Sequence, residues 1–182
     1  WDSYTPPTPS FTGTKVFENY DLNELRTFID WKPFFITWEM HGNFPAILTD
    51  EVVGTEATKL YNDANALLDK IIAEKWLTAK GVIGFWEAAS NNDDVEVRTE
   101  NEKVQLSFHR QQIKKAPGQP NLSLADFISP TTANQKDHIG AFAVSIHGIE
   151  PHLEKFEAAH DDYNKIMLQA LADRFAEAFA EA

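Results

Sequence analysis

A single carboxylate set among aromatic rings is the residue most suited to chemistry in this 182-residue chain. Asp30 lies in Phe28-Ile29-Asp30-Trp31-Lys32-Pro33-Phe34-Phe35-Ile36-Thr37-Trp38. A carboxylate in apolar surroundings is costly unless it has a partner. Two readings follow. Asp is a favoured helix N-cap, and Pro33 close behind suits a helix start. Alternatively, the carboxylate is held ready for a ligand's ammonium or hydroxyl group beside aromatic walls. The two are compatible only if one carboxylate oxygen stays free.

Other groupings carry less chemistry. Asp93-Asp94-Val95-Glu96 at the mouth of a strand could hold Mg²⁺ or Ca²⁺ through oxygens, but no glycine-centred calcium loop surrounds it. A solvated turn is the favoured reading there. His147 and His152 lie across a turn with no His-Glu-x-x-His pattern, which gives zinc chemistry little support. His160-Asp161-Asp162 could form a site, although such residues more often complement a helix dipole. No Gly-rich phosphate loop, nucleophile elbow or Cys/His dyad occurs.

The elements that must position these groups give an α+β chain with an antiparallel sheet and several helices. Residues 1–13, rich in Pro, Ser and Thr, read as an extended lead-in or linker. Asp21 and Glu24 have capping-box spacing ahead of Leu22, Leu25, Phe28 and Ile29. A short second helix carries Phe34, Phe35 and Trp38 and is expected to end at Gly42 and Pro45. Ala57, Leu60, Tyr61, Ala64, Leu67, Leu68, Ile71 and Ile72 form one apolar helical stripe. Val82–Trp86 and Ile139–Ile146 read as buried strands. Between them, Val95/Val97 and Val104/Leu106/Phe108 alternate with polar residues on either side of Asn101, a hairpin signal. Lys115–Asn121 is a loop and Gly148–Pro151 a turn. One long helix is expected from about Leu153 to Ala182, with an apolar side of Phe156, Tyr163, Met167, Leu171, Phe175 and Phe179. That stripe needs cover, so the final turns are expected to fray or to pack on another copy.

Composition excludes several classes. The formal charge of −12 and pI near 4.8 oppose nucleic-acid binding, which needs clustered Lys and Arg. No apolar run approaches a membrane span, and the N-terminus lacks signal-peptide character. The absence of cysteine rules out disulfides and zinc-thiolate sites and fits a reducing compartment. A cytoplasmic location is the expectation.

A series of motifs adds more. Ile29-Asp30-Trp31-Lys32-Pro33-Phe34-Phe35 with Trp38, Gly42 and Pro45 resembles the opening of the activation domain of cobalamin-dependent methionine synthase. In the same order come Val53-Gly54-x-Glu56-Ala57, Lys59-Leu60-Tyr61-x-Asp63-Ala64, Gly81-Val82-Ile83-Gly84, Asp93-Asp94-Val95-Glu96 and Arg110-Gln111-Gln112. Leu124-Ala125-Asp126-Phe127, Ile139-Gly140-Ala141-Phe142-Ala143-Val144, Asp161-Asp162-Tyr163 and Leu171-Ala172-Asp173-Arg174 complete the set. The likeness runs from about Phe11 to Ala182.

The resemblance implies an S-adenosylmethionine-binding module that supplies the methyl group for reductive remethylation of cob(II)alamin, the electron coming from a flavodoxin-type reductase. It implies that Asp30 contacts S-adenosylmethionine, and that Asp173 and Glu177 lie toward cobalamin, which the cobalamin-binding module of the same enzyme mainly holds. Two departures stand out. Trp86-Glu87-Ala88-Ala89 replaces the family's Phe-Pro-Ala-Asn, which puts the local turn in question. The family's Arg-Pro-x-Pro-Gly-Tyr-Pro segment does not occur, so residues 14–182 are expected to be the N-terminal part of a truncated activation domain that carries one edge of the site. An alternative is a stand-alone acidic interaction domain that docks a corrinoid protein or flavodoxin-type partner without binding S-adenosylmethionine. A third is an unrelated enzyme that uses Asp30 and the Asp93-Asp94-Glu96 cluster.

Overall fold

The computed structural model describes all residues except Asp2 and Asn134. Five strands and five α-helices come in runs along the described chain, an α+β architecture. They are β1 (Gly13–Tyr20), α1 (Leu22–Arg26), α2 (Trp31–Thr37), α3 (Gly54–Ala73), β2 (Thr78–Asn91), β3 (Asp94–Arg98), β4 (Lys103–Ser107), β5 (Asp137–His147), α4 (Glu150–Ala158) and α5 (Asp162–Glu181). Sheet order is β1-β2-β3-β4, with β5 also paired to β2. The β2/β3 and β3/β4 pairs are antiparallel. The chain forms two compact units, one of Trp1–Lys15 with Ile83–Phe142 and one of Val16–Val82 with Ala143–Ala182.

The first unit is built on the expected hairpin. Val95 and Val97 point into a small core with Ala88 and Ala125, while the alternate residues of β3 carry charge. Asn92 takes the left-handed backbone conformation in the β2/β3 turn, which Asn tolerates better than most residues. Strand β2 runs unbroken through Trp86–Ala89, with Glu87 opposite Arg98 and Ala88 opposite Val97. The departure from Phe-Pro-Ala-Asn therefore leaves a regular ladder, because each of these residues can donate its backbone N–H.

The second unit holds the larger core. The α3 stripe buries Ala57, Leu60, Ala64, Leu67, Leu68 and Ile71 against Leu25, Phe34 and Phe35 and against Met167, Leu168, Leu171 and Phe175 of α5. Four expectations are corrected. Helix α2 ends at Thr37 rather than near Gly42. Glu39 turns left-handed and Met40 N–H returns to the Phe35 carbonyl, closing the helix early. The long C-terminal helix is two helices, because His160 is left-handed and Asp161 caps α5 with its Oδ1 on Asn164 N–H. Strand β5 is not buried: among the described residues it pairs with β2 alone, and Phe142 is left 59% exposed. An apolar run alone cannot say that both faces are covered. Finally, the last turns of α5 are covered within the chain. Phe179 lies against Tyr20 at 4.8 Å and Phe17 at 6.3 Å, and the helix persists to Glu181.

Candidate functional site

Asp30 is the N-cap of α2. Its backbone is extended, and its Oδ1 accepts the Lys32 N–H at 2.9 Å. One orphan donor of the first turn is thereby satisfied. Among the described residues Oδ2 has no hydrogen-bond partner, and the side chain is exposed. One oxygen thus builds the helix while the other faces solvent, the condition under which the structural and ligand readings coexist.

The rings around Asp30 divide. Phe34 and Phe35 are fully buried, and Trp31 meets Tyr61 edge-on at 4.7 Å and Phe34 at 5.3 Å. These rings are core, and Asp30 sits at the rim of a packed aromatic cluster rather than inside a pocket lined by it. Trp38, just past α2, lies 5.1 Å from Tyr163. The Tyr163 hydroxyl donates to Asp63 Oδ2 at 2.8 Å, and Lys59 approaches both the Asp63 carboxylate and the Tyr163 ring. Burial and the Asp63 contact push the phenol up to about 12, so it remains a donor at every physiological pH.

Asp173 and Glu177 flank Arg174 on α5. The Arg174 side chain is only 7% exposed, whereas those of Asp173 and Glu177 are 71% and 61% exposed. Arg174 Nη2 donates to Asp173 Oδ2 at 2.6 Å, and Nη1 donates to Glu177 Oε2. Burial works against the guanidinium charge, but the two hydrogen bonds and the carboxylate charges outweigh it and raise the Arg174 pKa. The result is a pair of ordered carboxylates fastened to one covered cation. Sequence reasoning named both carboxylates and missed the role of Arg174. The signal was present: Arg174 falls on the same helical stripe as Leu171 and Phe175, where a charge is out of place unless it is paired.

The Asp93-Asp94-Glu96 cluster is occupied by its own unit. Arg110 donates through Nε and Nη2 to Asp93 Oδ1, at 2.9 and 2.6 Å. Its two terminal nitrogens grip Asp126 at 2.7 Å each, and Nη1 also reaches the Asn121 carbonyl. Asp94 accepts from the Ser107 hydroxyl, and Glu96 pairs with Arg98 and Lys103. The Arg110 fork, followed by the Ser123 N–H, pulls Asp126 down to about 2. No cluster that could hold a metal ion occurs among the described residues. His147 and His152 are likewise not joined: the first meets the Ser145 hydroxyl, and the second stacks on Trp76.

No helix among the described residues is long and apolar enough to cross a membrane. The chain is similar, with 47% identity and a TM-score of 0.90, to a crystal structure of the MetH reactivation domain bound to AdoHcy. That likeness covers all of this chain and 57% of that one, so the chain spans little more than half the length of the solved domain. Residues 21–182 match the family described as the vitamin B12 dependent methionine synthase, activation domain. With that agreement over nearly its whole length, the chain belongs to the activation-domain family of vitamin B12-dependent methionine synthase.

Proposed function

We propose that this chain is part of the reactivation module of cobalamin-dependent methionine synthase, residues 14–182 contributing to that module and residues 1–13 leading into it. In this reading it binds S-adenosylmethionine for reductive remethylation of cob(II)alamin, with Asp30 as one contact. The observation that carries it is the 47% identity, over the whole chain, to a reactivation domain bound to AdoHcy. The geometry of Asp30 supports it, since the cap uses one oxygen and leaves the other for a ligand. S-adenosylmethionine offers an ammonium and ribose hydroxyls, both donors to a carboxylate. One such charge-assisted bond contributes about 1.5–3 kcal/mol, well short of the roughly 8 kcal/mol of micromolar affinity. Asp30 therefore orients one end of the ligand, and further groups supply most of the affinity.

Asp173 and Glu177 are assigned to the cobalamin-facing side. The donor set fits, because amide groups at the edge of a corrin ring match outward carboxylate oxygens. Arg174 holds both carboxylates in place, so they need not lose side-chain freedom on docking. Cobalamin, when bound, supplies the cobalt centre that takes the methyl group. The partners of this reading are the cobalamin-binding module of the same enzyme and a flavodoxin-type reductase, in the cytoplasm.

The test is recovery of activity by the full-length protein after its cobalamin has been oxidised. With reductant present, recovery should require S-adenosylmethionine, and Asp30→Asn should raise the concentration for half-maximal recovery about tenfold. Recovery without S-adenosylmethionine would contradict the function, and an unchanged requirement in Asp30→Asn would remove Asp30 from the site.

A further inference from the structure

Helix α4 has no buried residue. Its hold on the second unit comes from one face, where His152, Leu153 and Phe156 are half-buried. The His152 ring lies flat on Trp76, with centroids 4.0 Å apart and planes 13° from parallel, and Phe156 approaches the same indole at 6.3 Å. Trp76 is itself fixed: its Nε1 donates to Glu74 at 2.8 Å, and Lys70 Nζ sits 5.1 Å from its ring centroid. Two left-handed residues bracket α4, Gly148 before it and His160 after it. At Gly148 a Cβ would stand 2.5 Å from the Trp76 carbonyl, so the entry to α4 is closely fitted to the same residue. Phe156 forms one wall of a groove of about 410 Å³ whose other walls include Leu67, Lys70, Trp76 and Tyr163.

We propose that α4 is a proton-operated cover on this groove: neutral His152 holds Phe156 in the wall by stacking on Trp76, and protonation of His152 releases the helix between its two left-handed ends. The charges around the imidazole agree with that sense. Burial opposes the imidazolium, Lys155 on α4 adds to this, Glu74 counters it, and Lys70 again opposes it; the net sets the His152 pKa below the ordinary imidazole value. Toward the far end of α4, Glu157 is paired with Lys165 of α5 at 3.0 Å. A folded-state pKa below about 6.5 means the hold is complete above that value and is lost as pH falls through the lowered one. The attraction of an imidazolium for the indole is offset by Lys70, which already places a cation over the same ring.

Hydrogen exchange on this chain, corrected for intrinsic rates and compared between pH 7.5 and 5.5, tests the cover. Protection of the α4 amides should fall about fivefold or more at the lower pH, while that of α3 stays level as the internal reference. His152→Phe keeps an aromatic stack that cannot titrate, and should hold α4 equally protected at both pH values. Equal loss in His152→Phe, or α4 protection indifferent to pH in the native chain, overturns the proposal. Independently of that variant, the Trp76 indole N–H resonance should move with the titration of the His152 ring; a Trp76 signal indifferent to that titration also overturns it.

Discussion

Asp30 and the Asp93-Asp94-Glu96 cluster offer the same functional group, yet their surroundings give them opposite meanings. In the cluster, each carboxylate already has a donor: Arg110 for Asp93, Ser107 for Asp94, Arg98 and Lys103 for Glu96. The residues that looked like a metal mouth are the fastening of a hairpin to the loop that follows it. At Asp30, one oxygen is spent on a helix cap and the other has no partner among the described residues. The number of carboxylates at a place says little about chemistry. What matters is whether the fold has already set side-chain donors and cations against them, as it has with Arg110, Ser107, Arg98 and Lys103 in the cluster, whereas among the described residues Asp30 accepts only a backbone N–H.

The largest expected effect separates the rings from the carboxylate. If Phe34 is core and not a ligand wall, Phe34→Ala should cost about 3–5 kcal/mol of stability, measured by denaturant unfolding. Next comes the cap. Asp30→Ala removes the acceptor for the Lys32 N–H and should cost about 1 kcal/mol, whereas Asp30→Asn preserves a capping oxygen and should change stability by less than about 0.5 kcal/mol. Equal losses in the two would show that the cap is not what Asp30 contributes to folding.

The cluster makes its own predictions. Asp126, held at about 2, is lowered in the folded chain, so its contribution is present above the ordinary carboxylate value near 4 and is lost only as pH falls through about 2. Amides of residues 108–126 should therefore keep their exchange protection down to about pH 3, and Arg110→Met should abolish that acid resistance. The smallest expected effect is none. Millimolar Mg²⁺ or Ca²⁺ should leave the thermal midpoint unchanged within about 1 °C, since no carboxylate cluster open to an ion remains among the described residues. A rise of several degrees would reinstate the cluster as a metal site.

Much of this was legible in the residues. The α3 stripe, the β3/β4 hairpin and the start of α2 at Asp30 all followed from periodicity and capping chemistry, which are local. What failed was non-local. Ile139–Ile146 has the composition of a buried strand, but burial depends on what lies over each face, and nothing in the run itself reports that. The break at His160 was hidden because residues on either side continue an apolar helical pattern, while Asp161 bonds forward to Asn164 and starts a new helix. Arg110 escaped notice as a staple because its partners, Asp93 and Asp126, lie 17 and 16 residues away. The residues around Asp30 allow both a cap and a ligand contact, and the structure shows the cap. Local sequence could not say that one oxygen would be left over.

The most direct test of the central claim is the calorimetric affinity of the full-length protein for S-adenosylmethionine, set beside that of Asp30→Asn. With the cap preserved and the charge removed, affinity should fall about tenfold, or about 1.4 kcal/mol, at unchanged stability. Equal affinities in the two proteins would leave Asp30 a helix cap and nothing more.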